Sequence, residues 1–399
     1  MLPNHNHALV PGRPAFVCLI AVICTCIKEP VWACPFAEVV QSAPIETNLL
    51  VPGIRETPEV WLEMINGAKS TIDLEEFYVV SKPKSALKPI LDALRKAGKR
   101  GVQVRLIVDT AFYKHYSANP KHLNKTKNFQ VRVIDFSSLK GIQHAKYFVV
   151  DKKEAFVGSA NFDWVSLTHI HEIGLHISDS AIASKMESIF DNDWSVSSPL
   201  RKIDPALGPK PEATVTQTVK MDPSQELQVL ASPDTLPPHD IPNTLSALLQ
   251  IIQSAQSSVK IQVYEYSTKK YKSTEEWKVL DDAIRGAAGR GVHVQLLVDK
   301  NATKESAADL ASLAKVENIS VKTVTIPTWS GGVIPFARLI HSKYMIVDGK
   351  YGWVGSENWL GNYFTNNRNV GVLTTRAGLV SDLTKIFDHV WSSPYAESL

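Results

Sequence analysis

The sequence predicts a duplicated α/β protein, and three observations carry that prediction. First, a string of the form His-x-Lys, four residues, Asp, six residues, Gly-Ser-x-Asn occurs twice. One copy is His144, Lys146, Asp151, Gly158, Ser159 and Asn161; the other is His341, Lys343, Asp348, Gly355, Ser356 and Asn358. Second, longer landmarks recur in the same order. Segment 68–74 (AKSTIDL) is answered by 255–261 (AQSSVKI), and 100–109 (RGVQVRLIVD) by 290–299 (RGVHVQLLVD). Each half closes on a similar helical pattern, with Phe190 and Trp194 answered by Phe387 and Trp391. Third, helical spacing alternates with β-branched runs inside each half, the pattern of a layered domain whose sheet is largely covered. Two copies of one half-site imply a single site shared across a pseudo-two-fold axis.

The elements follow in chain order. In residues 1–34, Arg13 precedes an uncharged apolar run at 15–27 and then Lys28. That run is shorter than the roughly 20 residues of a comfortable bilayer span. It fits a signal peptide over residues 1–33, with Val31-Trp32-Ala33 as the cleavage site. An uncleaved anchor, or lipoprotein processing at Cys34, is the alternative. A cleaved signal places the protein outside the cytosol: secreted, periplasmic or lumenal. Cys18, Cys24, Cys26 and Cys34 are the only cysteines. The body therefore has no disulfide framework and no thiol catalysis. Sequons at Asn124, Asn301 and Asn318 matter only in a eukaryotic secretory pathway.

The first half spans residues 45–200. Residues 61–68 have helical spacing, 71–80 read as a strand, and 87–97 read as a helix stopped by a turn at Gly98. Residues 102–108 form a β-branched run typical of a buried strand. Residues 201–225, with Pro205, Pro209, Pro211 and Pro223, read as a connector. The second half spans 226–399. The hydrophobic content of 44% supports a sizeable core. The formal charge of +3 excludes neither nucleic acid nor an anionic lipid surface as partner.

The chemistry sits at the repeated string. Residues 147–150 and 344–347 are short apolar strands. His144 and Lys146 share a strand face about 7 Å apart, and His341 with Lys343 repeats the arrangement. Gly158 would permit a tight turn exposing Ser159 and Asn161, with Gly355, Ser356 and Asn358 as counterparts. Two lysines, two serines and two asparagines make a cationic, donor-rich cradle suited to phosphodiester oxygens. Two histidines supply a nucleophile and a proton donor. No metal or other cofactor is needed. A single His-x-Lys is usually a solvated strand end; two complete copies in register are not.

These strings resemble those of the phospholipase D superfamily. A closer similarity, to the animal endolysosomal phospholipase-D-like proteins and their poxviral relatives, covers most of the body from about residue 45. It rests on residues 158–164 with Ser166-Leu167-Thr168, residues 334–338, Asn358-Trp359 with residues 361–365, and Ser393-Pro394-Tyr395. Asp348 is present where the animal members often lack the second Asp, and the body lacks their cysteines. The resemblance implies two α-β-α sandwich halves with the site between them. It also implies catalytic roles for His144, Lys146, Asp151, His341, Lys343 and Asp348, and phosphate binding by the lysines, Ser159, Asn161, Ser356 and Asn358. Several members of that group degrade single-stranded DNA and RNA from the five-prime end, and transphosphatidylation of lipids is also attributed to them.

The halves differ at one relevant position. Glu172 follows His144 by 28 residues (172 − 144), whereas Asn369 follows His341 by 28 (369 − 341). In the superfamily a carboxylate near this spacing orients the nucleophilic histidine. The resemblance therefore assigns Glu172 to His144, with His144 as nucleophile and His341 as general acid. His169, His171 and Glu172 lack matching ligands elsewhere, so no metal site is expected. Trp164, Trp353, Trp359, Tyr363 and Phe364 could stack bases, though such aromatics are more often core. The basic stretch 95–105 reads as a solvated helix end.

The sequence thus leads to a metal-independent phosphodiesterase working through phosphohistidine, with single-stranded nucleic acid the favoured substrate. Hydrolysis or transphosphatidylation of phospholipids at a membrane surface is the alternative. A non-catalytic binding protein is a reading of another class. A nuclease should show an aromatic-lined basic channel, and a lipase an exposed apolar rim.

Overall fold

Each half is built on a sheet with the same strand order, which makes the duplication a structural fact. In the computed structural model, which describes residues 36–200, 222 and 224–399, the first half runs Phe36–Ser42, Ile170–Ser178, Glu154–Gly158, Tyr147–Val150, Thr71–Glu76, Gln103–Asp109, Phe129–Ile134, Ser198–Pro199. The second half runs Leu227–Ser232, Asn369–Thr374, Tyr351–Val354, Tyr344–Val347, Ser258–Val263, His293–Asp299, Ile319–Val324, Ala396–Ser398. Among these strands, three in each half pair in parallel and the other pairs are antiparallel; Arg55–Glu56 adds in parallel beside Phe36–Ser42. The expected signal peptide lies outside the described residues, as does nearly all of the 201–225 connector. No described helix is long and apolar enough to cross a membrane.

Strand alternation divides the side chains between two layers. On Tyr147–Val150, Phe148 and Val150 face an outer core with helices Thr57–Gly67 and Leu87–Arg100, while Tyr147 and Val149 face inward. The second half repeats this with outer helices Thr244–Ser254 and Val279–Gly289. The inward faces meet in one apolar cluster that includes Ile189 and Phe190 of helix Ser180–Val196 and Ile386 and Phe387 of helix Ala377–Trp391. These two helices therefore lie in a layer common to both halves, and the shared core holds the halves in register.

Gly98 does not end its helix, which runs to Arg100. The reversal falls at Gly101, whose φ of +111° suits glycine. Gly98 is instead a point of close approach, since a Cβ there would stand 2.6 Å from the carbonyl oxygen of Lys127. The expected strand over 71–80 is split: Thr71–Glu76 belongs to the main sheet, and Val79–Val80 pairs with Phe162–Asp163.

Candidate active site

The two strings meet where the halves exchange strand ends. Ile170 and His171 pair in parallel with Leu339 and Ile340 of the other half. The His341 amide donates to the His171 carbonyl at 2.9 Å, and the His144 amide donates to the Arg368 carbonyl at 2.9 Å. The contacts are equivalent because one offset relates them: 341 − 144 and 368 − 171 are both 197.

That exchange decides the partners of the histidines, and it overturns the expected pairing of Glu172 with His144. Glu172 instead accepts from Nδ1 of His341, at 3.0 and 3.1 Å to its two oxygens. His144 Nδ1 faces Oδ1 of Asn369 at 3.0 Å. The amide orientation follows from its other bonds, because Asn369 Nδ2 donates to the carbonyls of Tyr363 at 2.6 Å and Asn367 at 3.2 Å. Its oxygen therefore faces His144, so His144 must carry its proton on Nδ1 and leave Nε2 unprotonated. Each half supplies the partner of the other half's histidine. The 28-residue spacing locates the partner residues correctly but says nothing of this crossing.

Both histidines are depressed well below their ordinary value, first by burial and then by the lysine charges. Burial raises the Glu172 carboxyl to about 7 against the pull of Lys343. Glu172 and His341 thus hold a proton between them near neutrality. Burial lowers Lys146 to about 7, opposed by Glu76, Glu172 and Glu357, and also lowers Lys343 well below its ordinary value. Each ammonium donates to the backbone carbonyl of its own histidine. Lys146 and Lys343 each bear electrostatically on both imidazoles. The string thus brings both imidazoles and both ammonium groups into one buried site.

Asp151 and Asp348 lie elsewhere, contrary to the catalytic role expected of them. Asp151 accepts from the amides of Lys69, Ser70 and Thr71 at 2.8, 2.6 and 2.9 Å and from the Ser70 hydroxyl at 2.7 Å. Asp348 does the same with Gln256, Ser257 and Ser258. Partial burial opposes ionisation, yet the converging donors hold both carboxyls below the ordinary value. They fasten the start of the neighbouring strand, at the end of Tyr147–Val150 and Tyr344–Val347 remote from the histidines.

The small polar residues are buried rather than exposed by a turn. Gly158 lies in its strand, where a Cβ would meet the Ile173 carbonyl oxygen at 2.6 Å. Ser159 exchanges hydrogen bonds with the Ile173 backbone and lowers the Glu172 carboxyl. Ser356 donates to Asn369 Oδ1 at 3.0 Å. The carbonyl oxygens of Asn161 and Asn358 are buried without a partner. The serines therefore brace the histidine partners more than they line a phosphate cradle.

His171 Nδ1 meets Gln262 at 3.2 Å and Ser342 at 3.3 Å, while His169 packs on Trp164 and Trp329. Among the described residues, no three His, Cys, Asp or Glu side chains are grouped to hold a metal ion. Trp353, Trp359 and Phe364 are core, whereas Tyr363 lies edge-on to His144 with ring centres 4.9 Å apart. Within the basic stretch, Arg95 pairs with Asp92, and Arg105 with Asp73, Glu187 and Asp191.

No sequence pattern announces the aromatic series that leads outward from His144. Phe77 lies 5.0 Å from His144 and 3.9 Å from Phe112, ring centre to ring centre. Phe112 stacks with Tyr78 at 5.7 Å, and Tyr78 meets Tyr116 at 5.3 Å. Tyr116 is 42% exposed. On the other side, Tyr264 lies 5.2 Å from His341.

Comparison with known proteins agrees with the duplicated fold. The family model described as "Cardiolipin synthase, PLD-like domain" matches residues 61–194 and again 248–391, once per half. "Phospholipase D Z" of Dictyostelium discoideum is 30% identical over 383 residues, covering 90% of each chain. "5'-3' exonuclease PLD3" of Bos taurus is 32% identical over 375 residues, covering 86% of this chain and 76% of that protein. Phosphatidylserine synthase of Haemophilus influenzae shares the fold with a TM-score of 0.60 at 14% identity, covering 86% of this chain and 85% of the other.

Proposed function

The chain belongs to the phospholipase D superfamily of phosphodiesterases, and from that premise we propose that it hydrolyses single-stranded nucleic acid from the five-prime end through a phosphohistidine intermediate, without a metal. The aromatic series Phe77, Phe112, Tyr78 and Tyr116 carries the choice of substrate. It runs ring to ring from the buried Phe77 beside His144 out to the exposed Tyr116, where bases of a single strand can stack. The similarity to 5'-3' exonuclease PLD3 supports the same reading.

The roles follow from the unequal partners of the two imidazoles, an amide for His144 and a carboxyl for His341. A nucleophile must be neutral and a general acid protonated. His144, held by an amide and free of its proton at Nε2, meets the first need. His341 is itself depressed by burial and the lysines, but its Nδ1 faces the Glu172 carboxyl, which can share a proton with it near neutrality, so the second role falls to His341. Glu172 serves His341, so the nucleophilic role of His144 rests on its unprotonated Nε2 and not on a carboxylate partner. His144 Nε2 attacks phosphorus and forms the P–N bond. The P–O bond to the leaving group breaks, and His341 gives that oxygen its Nε2 proton. His341, now neutral, takes a proton from water as the water attacks phosphorus, and the P–N bond breaks to regenerate His144. Lys146 and Lys343 offset the charge gained by the phosphoryl oxygens.

A second reading has its own observation. Val333 and Phe336 are 84% and 85% exposed on a loop that precedes His341 and is fastened by Ser330 to Glu46 and by Arg338 to the Ile45 carbonyl. An apolar tip beside the site favours a phospholipid surface. An assay comparing an end-labelled single-stranded oligonucleotide with phosphatidylcholine plus ethanol tests both. Stepwise loss of five-prime nucleotides supports the nuclease; phosphatidylethanol with an intact oligonucleotide overturns it in favour of the lipid.

A further inference from the structure

The halves are unequal at a second pair of positions, and the two inequalities compensate. The first half has Glu172 and Ala160; the second has Asn369 and Glu357. Both pairs are related by 197, as the histidines are (369 − 172; 357 − 160). Each half therefore keeps one carboxylate, at different positions. Glu357 is fully buried. A Cβ on Gly355 would come 2.6 Å from Glu357 Oε2, so the glycine leaves the space this carboxyl occupies.

Its contacts lead back to His144. Glu357 Oε2 accepts from the Ser356 amide at 3.1 Å, and Oε1 lies 3.4 Å from the Ser232 hydroxyl. Asn369 Nδ2 approaches that hydroxyl at 3.3 Å, and Asn369 Oδ1 accepts from His144. Ser232 stands opposite Asn369 on the adjoining strand. Its one proton can go to Glu357, to the Tyr363 carbonyl at 3.0 Å or to the Asn367 carbonyl at 3.4 Å, so the charge on Glu357 biases the choice. Burial raises the Glu357 carboxyl to about 7 against its hydrogen bonds from Ser356 and Ser232, and in its ionised form it favours the charged forms of Lys146 and Lys343.

We propose that Glu357 is the second half's positioning carboxylate: it acts on His144 through Ser232 and Asn369 and offsets the two lysine charges without touching substrate. The proposal rests on His144 being a reacting group. It requires that the carboxylate can be moved: the pair Asn369→Glu with Glu357→Ala copies the first half into the second.

The test measures kcat and KM of the purified full-length chain on bis(p-nitrophenyl) phosphate, with thermal unfolding of each variant. Glu357→Ala and Glu357→Gln are expected to lower kcat by about 10- to 100-fold with KM retained. Asn369→Glu in the Glu357→Ala background is expected to recover at least about tenfold, a non-additive coupling that simple damage does not produce. Glu357→Gln with unchanged kcat overturns the proposal. So does a folded double variant no faster than Glu357→Ala. If the double variant does not fold, Glu357→Gln decides alone. Full activity in His144→Ala would instead overturn the underlying mechanism.

Discussion

The Glu172 carboxylate, on the first half, receives the Nδ1 proton of His341, on the second, at 3.0 Å. Removing the charge while keeping the shape should leave His341 oriented but unable to hold its proton. Glu172→Gln is expected to lower kcat by about 10²–10⁴-fold with little change in thermal midpoint. Steady-state kinetics beside calorimetry checks this, and a variant that is stable and fully active contradicts the role.

The same pair sets a pH dependence. The acid form needs the proton shared by Glu172 and His341, and Glu172 is raised to about 7. Lys146, lowered to about 7, must also be charged. Activity should therefore fall as pH rises through about 7. His144, pushed well below its ordinary value, stays neutral far into the acid range. The profile of kcat/KM should peak on the acid side of neutrality; an optimum above pH 8 contradicts it.

Asp348 bonds only the strand start, so its loss should affect stability rather than chemistry. Asp348→Ala leaves the amides of Gln256, Ser257 and Ser258 without their acceptor, at a cost of about 1–3 kcal/mol. The denaturation midpoint should fall while kcat per folded molecule is retained. Loss of kcat at unchanged stability would return Asp348 to the catalytic group.

The aromatic series should matter to a strand and not to a small ester. Phe112→Ala or Tyr116→Ala is expected to weaken binding of a single-stranded oligonucleotide by about 1–3 kcal/mol per base lost, with turnover of bis(p-nitrophenyl) phosphate unchanged. Fluorescence anisotropy measures the first and absorbance the second. Equal affinity in wild type and both variants removes the observation that favours nucleic acid.

The repeat, the sheet class and the meeting of two imidazoles and two lysines were legible because each rests on local pattern: alternation along a strand, helical spacing, and a string met twice. The partners were not. Glu172 and Asn369 were found by spacing, but which histidine each serves depends on strand ends passing between halves, and no local pattern records that crossing. Asp151 looked catalytic because it travels with His144 in sequence, yet the intervening strand carries it to the far end of the sheet. Phe77 lies just past the strand Thr71–Glu76 and Phe112 in the short helix Thr110–Tyr113 that follows a neighbouring strand, so no local pattern announces the series. Glu357 was visible inside the second string, as the residue between Ser356 and Asn358, but its meaning required the contact with Ser232.

The division of labour between the histidines is tested most directly by trapping the intermediate. The His341→Ala variant is mixed with bis(p-nitrophenyl) phosphate, whose leaving group needs no proton donor, and the quenched protein is mapped by mass spectrometry for an acid-labile phosphoryl adduct. The adduct is expected on His144, released with one equivalent of p-nitrophenol. An adduct on His341 in the reciprocal His144→Ala variant, with none on His144 here, would contradict the assignment.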